Sequence, residues 1–577
     1  MKIIDRIPSE LLDAVNEFSR KLEWARRLPI YEIHKWWARR YSGIIRVFLA
    51  FTELDYKYLD KVDDFNSFVE KIYFYPPKVQ RKKLLDPFCG GGTIIIEASN
   101  LGYEAHGIEI NKLAYLMLKT LKFLPNMNLD LIERKIIKVA NSISQIWTTR
   151  CLRGHRATII HTFLAWKNRD GFPQIKFNKI KDGDKKLYYC ERCNKLFRSN
   201  KDLKACENCG NSFQKDFQKI EYSDLWPFAI EYFCPYCNER NFKLTTPHDR
   251  RKFFLQTQNK LLPIPRLNET ARLLKAGFSD FVELLTPRQL FTFTKVLNSF
   301  RSEPYRTAIK LLVSDSLRCC SLLAYYSSRY MKVIPGFVIK SYWLPPQPVE
   351  LNPLSFYTSK NGQIYPLGRG NIISGLRKFK KAKEFVRREQ LKMNFKLYHG
   401  PAQDILKRLK GKYDIIFTDP PYGDYQFYSD LSLFSLSVIH EIDPQSLQTL
   451  LEKEIILRNR NDLNRYRNGL KQVFSLALQR LSNKGRILLT FHHPNFNLIF
   501  DIIDVFKNLN LNLHAIYPVI GESSGKLTKR KIYLDLLFVF GRERKSPYFA
   551  HTKCNFTKYD TQLQNLTKKL IDFYEDS

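Results

Sequence analysis

One hexapeptide combines residue types suited to a flat, amine-bearing ring: Thr418-Asp419-Pro420-Pro421-Tyr422-Gly423. It follows Tyr413-Asp414-Ile415-Ile416-Phe417, an apolar β-branched run that predicts a buried parallel strand. Asp419 offers a hydrogen-bond acceptor at the strand's carboxyl end. The two prolines stiffen the loop and remove two backbone donors, which leaves the Pro420 carbonyl free to point outward. Tyr422 adds a flat ring. A planar heterocycle with an exocyclic amine fits this set: its two N–H groups meet Asp419 and the Pro420 carbonyl, and its ring stacks on Tyr422. The bland alternative is an ordinary turn, since Asp-Pro and Pro-Pro are common turn pairs.

A second stretch lies far upstream. Lys83-Leu84-Leu85-Asp86 predicts a short strand, and Pro87-Phe88-Cys89-Gly90-Gly91-Gly92-Thr93 predicts a glycine-rich turn opening a helix. Glycines there let backbone N–H groups approach a ligand at the helix start. The next strand, Tyr103 to Ile108, ends in Glu109, 17 residues beyond Gly92. Doubly wound folds place the acid that holds a ribose diol at about that distance. Strand, glycines, helix, strand and acid in this order predict an α/β domain that binds a nucleoside-bearing ligand.

Cysteines mark a third feature. Cys190-x₂-Cys193-x₁₂-Cys206-x₂-Cys209 has the spacing of a zinc ribbon, two knuckles joined by a hairpin. A further pair, Cys234 and Cys237, needs partners from elsewhere. Cys319 and Cys320 are adjacent and read as helix residues, and Cys89 and Cys554 as ordinary small residues. Lys195, Phe197, Arg198, Lys201 and Lys204 surround the ribbon, which reads either as a substrate contact or as a structural clip.

These motifs must be positioned by a long chain. Its 577 residues exceed one compact core. With 44% hydrophobic and 14% aromatic residues it is not a disordered chain. Lys and Arg total 94 against 57 acids, a formal charge of +37, which favours a polyanionic partner, nucleic acid first. No apolar run reaches membrane-span length. The charged start, Met1 to Arg6, does not resemble a signal peptide, so the expected location is cytoplasmic, with cysteines serving as metal ligands or core residues. The expected units are N-terminal helices and the first half of the glycine-loop domain (1–130), a cysteine-rich insertion (131–260), a mainly helical insertion (261–390), the second half of the sheet domain (391–545) and a tail (546–577). Arg288 and Gln289, after Pro287, read as substrate contacts or as an ordinary helix start. The run Arg377-Lys378-Phe379-Lys380-Lys381 reads as a solvated face or a phosphate contact. His492 and His493 end a predicted strand and read as pocket wall or substrate contacts, and Asp424 to Tyr428 as a wall for a flipped base or its neighbours. Leu513–Val519 and Ile532–Phe540 read as a closing antiparallel pair.

Together the glycine loop and Asp-Pro-Pro-Tyr resemble the S-adenosylmethionine-dependent amino-methyltransferases of DNA, which modify adenine N6 or cytosine N4. Within them the chain is similar to a prokaryotic group of adenine-specific methylases. Its matching stretches are Trp36-Trp37-Ala38-Arg39-Arg40, Thr286-Pro287-Arg288-Gln289-Leu290, Val349-Glu350-Leu351-Asn352-Pro353, Thr418 to Leu431 and Phe491-His492-His493. The resemblance spans roughly residues 30–545.

It implies a Rossmann-like methyltransferase sheet interrupted by a large insertion. Asp86, Phe88, Gly90, Gly92 and Thr93 would cradle the methionine part of S-adenosylmethionine, Glu109 its ribose, and Asp404 its adenine, because Pro401 stands where the usual acid or serine follows Gly400. Asp419, Pro420, Pro421 and Tyr422 would hold the target base. Zinc would sit on Cys190, Cys193, Cys206 and Cys209, with Cys234 and Cys237 joined by Cys151 and His155. The implied partner is DNA ahead of RNA, with restriction or defence subunits and no membrane. Two alternatives stand beside this: an RNA amino-methyltransferase using the same motif, and a catalytically silent nucleic-acid-binding subunit.

Overall fold

The computed structural model describes residues 1–550 except 26–27, 38, 168–172, 175–178, 183–184, 214–221, 223, 255–259, 328–331, 338–340, 425, 492–495 and 522–533. At its centre is an eight-stranded sheet: β1 (Lys83–Asp86), β2 (Glu104–Glu109), β3 (Lys396–His399), β4 (Tyr413–Thr418), β5 (Leu481–Phe491), β6 (Asn512–Ile520), β7 (Leu534–Gly541) and β8 (Tyr548–Phe549). The spatial order is β3-β2-β1-β4-β5-β7-β6-β8. β3, β2, β1, β4 and β5 run parallel, and β7 is antiparallel to both its neighbours. The expected α/β doubly wound sheet is therefore present, and β6 and β7 form its expected closing pair.

Both faces of this sheet are covered, which explains why its central strands carry continuous apolar runs such as Ile415-Ile416-Phe417 and Ile487-Leu488-Leu489. Successive residues alternate between two cores. Leu84, Ile415, Phe417 and Leu488 face one, shared with the helices Ser42–Phe51, Thr93–Leu101 and Tyr428–Val438. Leu85, Ile416, Ile487 and Leu489 face the other, shared with Ala402–Arg408, Leu463–Leu478 and Phe496–Lys507.

The N-terminal segment is fastened to the far end of the chain. Tyr517 Oη on β6 donates to the Ile4 carbonyl (2.8 Å) and accepts from the Ile7 amide (3.1 Å). Asn16 Nδ2 donates to the Pro518 carbonyl (3.1 Å), and Arg486 on β5 forks onto Asp5 (2.9 Å twice).

Between β2 and β3 the chain leaves the sheet. The helix Lys112–Phe123 continues the domain, and an antiparallel sheet then forms around the long strand Arg156–Lys167, paired with Leu225–Cys234 and Val349–Leu351. A small three-stranded sheet, Lys179–Asp182, Lys185–Cys190 and Lys195–Ser199, carries the first cysteine knuckle.

Arg288 and Gln289 hold this insertion together. Thr286 caps the helix Pro287–Leu297, and Gln289 completes the capping box. The Arg288 guanidinium is buried, forks onto Glu350, donates to Thr162 Oγ1 (2.6 Å) and lies over the Trp147 ring. Gln289 Nε2 donates to the Leu351 carbonyl (3.1 Å). The substrate-contact reading of this pair gives way to a structural one: both side chains are spent on joining helix to sheet. Two lysines of the basic run are engaged internally, while Arg377 and Lys381 are exposed. Lys378 donates to Asp315 (2.6 Å) and Lys380 to Glu133 (2.5 Å), while Arg377 lies over the Tyr365 ring. Among the described residues, no helix is long and apolar enough to cross a membrane.

Candidate active site

The carboxyl ends of β1, β2 and β4 meet along one edge of the sheet. A cleft opens there, lined by Asp86 to Ile94, Ile108 to Asn111, Ala402, Gln403, Asp419 to Tyr422, Tyr428 and Lys453 to Ile455, with Trp36, Arg39 and Arg40 from the N-terminal segment. The glycine loop and the Asp-Pro-Pro-Tyr loop, more than 300 residues apart in the chain, thus share one wall-to-wall site. Carboxyl strand ends at such a reversal of strand order are where open α/β sheets bind ligands.

The glycines have identifiable reasons. Gly92 has φ +79°, and a Cβ there would lie 2.1 Å from Leu118 Cδ2. Gly90 and Gly91 pass under the indole of Trp36, whose ring atoms lie 3.1–3.2 Å from where Cβ atoms would sit. Trp36 in turn stacks on Tyr428, with ring centres 5.5 Å apart and planes inclined by 11°. Trp36 therefore covers the glycine loop.

Two buried carboxyls floor the cleft. Asp86 accepts from Thr418 Oγ1 (2.7 Å) and the Phe88 amide (3.1 Å). Burial outweighs these bonds and pushes its carboxyl up to about 8. Glu109 accepts from the Gly90 amide (2.7 Å) and the Asn111 amide (2.6 Å), and burial raises it to about 7. Each keeps lone pairs that its present donors do not fill. Glu454, also buried and on the cleft wall, accepts from Ser429 Oγ and from Arg458 Nη2 (3.0 Å), and burial raises its carboxyl too.

Asp419 is heavily engaged. Its Oδ2 accepts from Arg40 Nε (2.9 Å). Its Oδ1 accepts from Arg40 Nη2 (2.9 Å), Thr490 Oγ1 (2.7 Å) and Tyr422 Oη. Arg40 also pairs through Nη1 with the buried Asp535 on β7, and its guanidinium lies 5.0 Å from the centre of the Tyr422 ring.

Of the sequence candidates, Asp86, Phe88, Gly90, Gly92, Thr93, Glu109, Asp419, Pro420, Pro421 and Tyr422 all line the cleft, and Asp404 does not. Helix Ala402–Arg408 turns Ala402 and Gln403 inward, while Asp404 lies 3.9 Å from Lys453 Nζ on the more open side. Gln403 is the neighbour that sequence reasoning passed over. Glu454 was also missed as a site residue, while Arg40 entered only as part of the Trp36-Trp37-Ala38-Arg39-Arg40 cluster, whose functional reading was a cofactor-pocket wall or a phosphate contact. A basic residue beside paired tryptophans was the one signal for Arg40, and nothing local pointed to Glu454. His492, His493 and Tyr425 lie outside the described residues, as do Lys526–Lys531 and the tail with Cys554.

Two ligand sets of metal-binding type lie in the insertion. The Sγ atoms of Cys190, Cys193, Cys206 and Cys209 lie within 4.8 Å of one another, as do the ligand atoms of Cys151, His155, Cys234 and Cys237. Sulfur separations of 3.6, 3.8 and 4.0 Å bracket the about 3.8 Å spacing that tetrahedral thiolates at about 2.3 Å from zinc require. They are far too long for disulfides. The second set forms because two turns come together, one between Thr148–Arg150 and Arg156–Lys167, the other between Leu225–Cys234 and Glu239–Leu244. Both donor sets suit structural zinc.

Residues 78–149 match the family model described as UPF0020, RMKL-like, methyltransferase domain. The chain thus carries a methyltransferase domain on the glycine-loop half of the site. No curated protein matches the chain. Among solved structures, it is similar to precorrin 8w decarboxylase of Methanobacterium thermoautotrophicum (12% identity, TM-score 0.15, 28% of this chain and 63% of that one). It is also similar to TrmN of Thermus thermophilus (15%, 0.16, 29% and 34%) and NSun6 of Pyrococcus horikoshii (14%, 0.18, 29% and 40%). The chain spans less than two thirds of the length of each.

Proposed function

We propose that the chain is an S-adenosylmethionine-dependent methyltransferase acting on the exocyclic amine of a nucleic-acid base, adenine N6 in DNA first. The observation that carries this reading is the shared cleft: the donor-type loop with Asp86 and Glu109 faces Asp419-Pro420-Pro421-Tyr422 across one space. The site suits such a donor. Its carboxyls are buried and retain acceptor capacity.

S-adenosylmethionine supplies, when bound, a methyl group on a positively charged sulfur. The protein's task is then alignment. Glu109, fixed by two backbone amides, is placed to hold the ribose diol. Asp86 and the amides of the glycine loop face the methionine end. Across the cleft, Asp419 and the Pro420 carbonyl accept the two hydrogens of the amine, which turns its lone pair toward the methyl group. Asp419 need not be a strong base, because the proton leaves after transfer. Tyr422 stacks on the extruded base and offsets part of an unstacking cost of about a few kcal/mol. The +37 charge favours a polyanionic substrate.

A second reading places the same chemistry on RNA. The glycine after the motif, Gly423, favours it. Transfer of label from S-adenosylmethionine to DNA and to RNA, followed by nucleoside analysis, separates the two. N6-methyladenine in DNA is the expected product, and label in RNA alone would replace the DNA reading. Asp419→Ala is expected to abolish transfer while donor binding survives. Loss of donor binding in that variant would refute the division of roles.

A further inference from the structure

Arg40 stands where the reaction needs room. A carboxylate offers about four acceptor positions. Asp419 already accepts four hydrogen bonds, from Arg40 Nε, Arg40 Nη2, Thr490 Oγ1 and Tyr422 Oη. Oδ1 takes three of them and Oδ2 one, and Arg40 supplies one to each oxygen, so its guanidinium occupies acceptor positions that an incoming amine would use. The same guanidinium covers the Tyr422 ring at 5.0 Å, and the edge of Phe491 packs against that ring at 83° and 4.9 Å.

A guanidinium is planar, delocalised and edged with N–H donors. Donating to Asp419 while lying over Tyr422, it presents the same pattern as the amino edge of adenine in the proposed site. We propose that Arg40 is a built-in occupant of the target-base position, and that the base is admitted only when Arg40 turns away from Asp419. The inference rests on the amino-methyltransferase reading above. Arg40 has somewhere to go: its third nitrogen is paired with Asp535, buried on β7, two strands away from β4, so rotation about that contact releases Asp419 without stranding the positive charge. Base binding and Arg40 pairing on Asp419 are therefore mutually exclusive. A plug closed nine-tenths of the time weakens apparent affinity about tenfold.

The test is equilibrium dialysis of labelled adenosine against the full chain, with the donor pocket filled by S-adenosylhomocysteine. The double variant Arg40→Ala with Asp535→Asn removes the plug and the charge it would leave buried. It is expected to bind adenosine about tenfold tighter than the unmodified protein. Millimolar guanidinium ion should refill the vacated place and compete with adenosine in the variant, with no effect on the unmodified protein. Arg40→Lys, which keeps a charge beside Asp535 but cannot fork onto Asp419, should shift affinity in the same direction and covers failure of the double variant to fold. Equal or weaker adenosine binding in a folded variant would overturn the plug and make Arg40 a fixed support of Asp419. Absence of nucleoside binding in every form, with S-adenosylhomocysteine bound, would overturn the amino-methyltransferase reading and the plug with it.

Discussion

The two buried carboxyls make donor binding a titration. Asp86 is raised to about 8 and Glu109 to about 7, burial being the largest cause for each. At pH 6 both are mainly protonated. A donor with a sulfonium, an ammonium and one carboxylate carries net positive charge, and it binds the ionised form of its neighbours better. For Asp86 the ionised fraction rises from about 1% at pH 6 to about one half at pH 8, so affinity should rise up to about fifty-fold over that range. The ligand-free protein should behave in the opposite sense. A carboxyl raised in the folded state contributes stability below its unfolded value near 4, and that contribution is lost as pH rises through about 8. Calorimetric titration with S-adenosylmethionine at pH 6, 7 and 8, repeated in buffers of different ionisation enthalpy, reads both the affinity and the protons released. Asp86→Asn should flatten the steepest part of the profile. The donor's own α-amino group titrates near pH 8 in both proteins and cancels in the comparison. A flat profile in the unmodified protein, or an unchanged slope in Asp86→Asn, would refute the reasoning.

Three other outcomes follow from particular contacts. Metal analysis of the purified chain should find two zinc ions, falling to about one in Cys234→Ser, with a lower thermal unfolding temperature; a single ion in the unmodified chain would exclude the Cys151–His155–Cys234–Cys237 site. Arg288→Ala should cost about 3–5 kcal/mol in denaturant unfolding by leaving Glu350 buried and unpaired, while Arg288→Ala with Glu350→Gln recovers part of the loss; a nucleic-acid binding defect without a stability change would restore Arg288 as a substrate contact. Gly92→Ala should destabilise by about 1–3 kcal/mol, because its φ is +79° and its Cβ would collide with Leu118; a fully stable variant would show that the loop relaxes freely.

What was legible in the sequence was what is local. The glycine loop, Glu109 and the Asp-Pro-Pro-Tyr loop are each short runs whose spacing encodes strand, turn and helix start, and the alternation of Leu84 with Leu85, or Ile415 with Ile416, needs only a two-residue period. Helix phase decides between Gln403 and Asp404, and one residue of phase lies within the uncertainty of reading a seven-residue helix that begins after a proline. The pairing of Arg40 with Asp419 spans 379 residues, and Lys380 with Glu133 spans 247. No periodicity signals such partners. Arg288 was ambiguous for the same reason: a basic residue at a helix start reads alike whether it meets a phosphate or, as here, a buried Glu350 from a strand 62 residues on.

The seating of the N-terminal segment against β6 has a bearing on synthesis. Ile7 and Tyr517 are 510 residues apart. At ribosomal rates of 5–20 residues per second, the first helices wait about 25–100 s for the strand that fastens them. β1 and β2 likewise wait for β4: Glu109 and Tyr413 are 304 positions apart, or about 15–60 s of translation. Throughout that interval two apolar parallel strands stand without the neighbour that pairs with β1 and completes the first of their two cores. The antiparallel insertion is made meanwhile, and its pairing of Arg156–Lys167 with Leu225–Cys234 and Val349–Leu351 can form behind the ribosome before the sheet closes. Nascent chains arrested between residues 350 and 410 should therefore expose β1 and β2 to chaperones and proteases, and release past residue 420 should end that exposure.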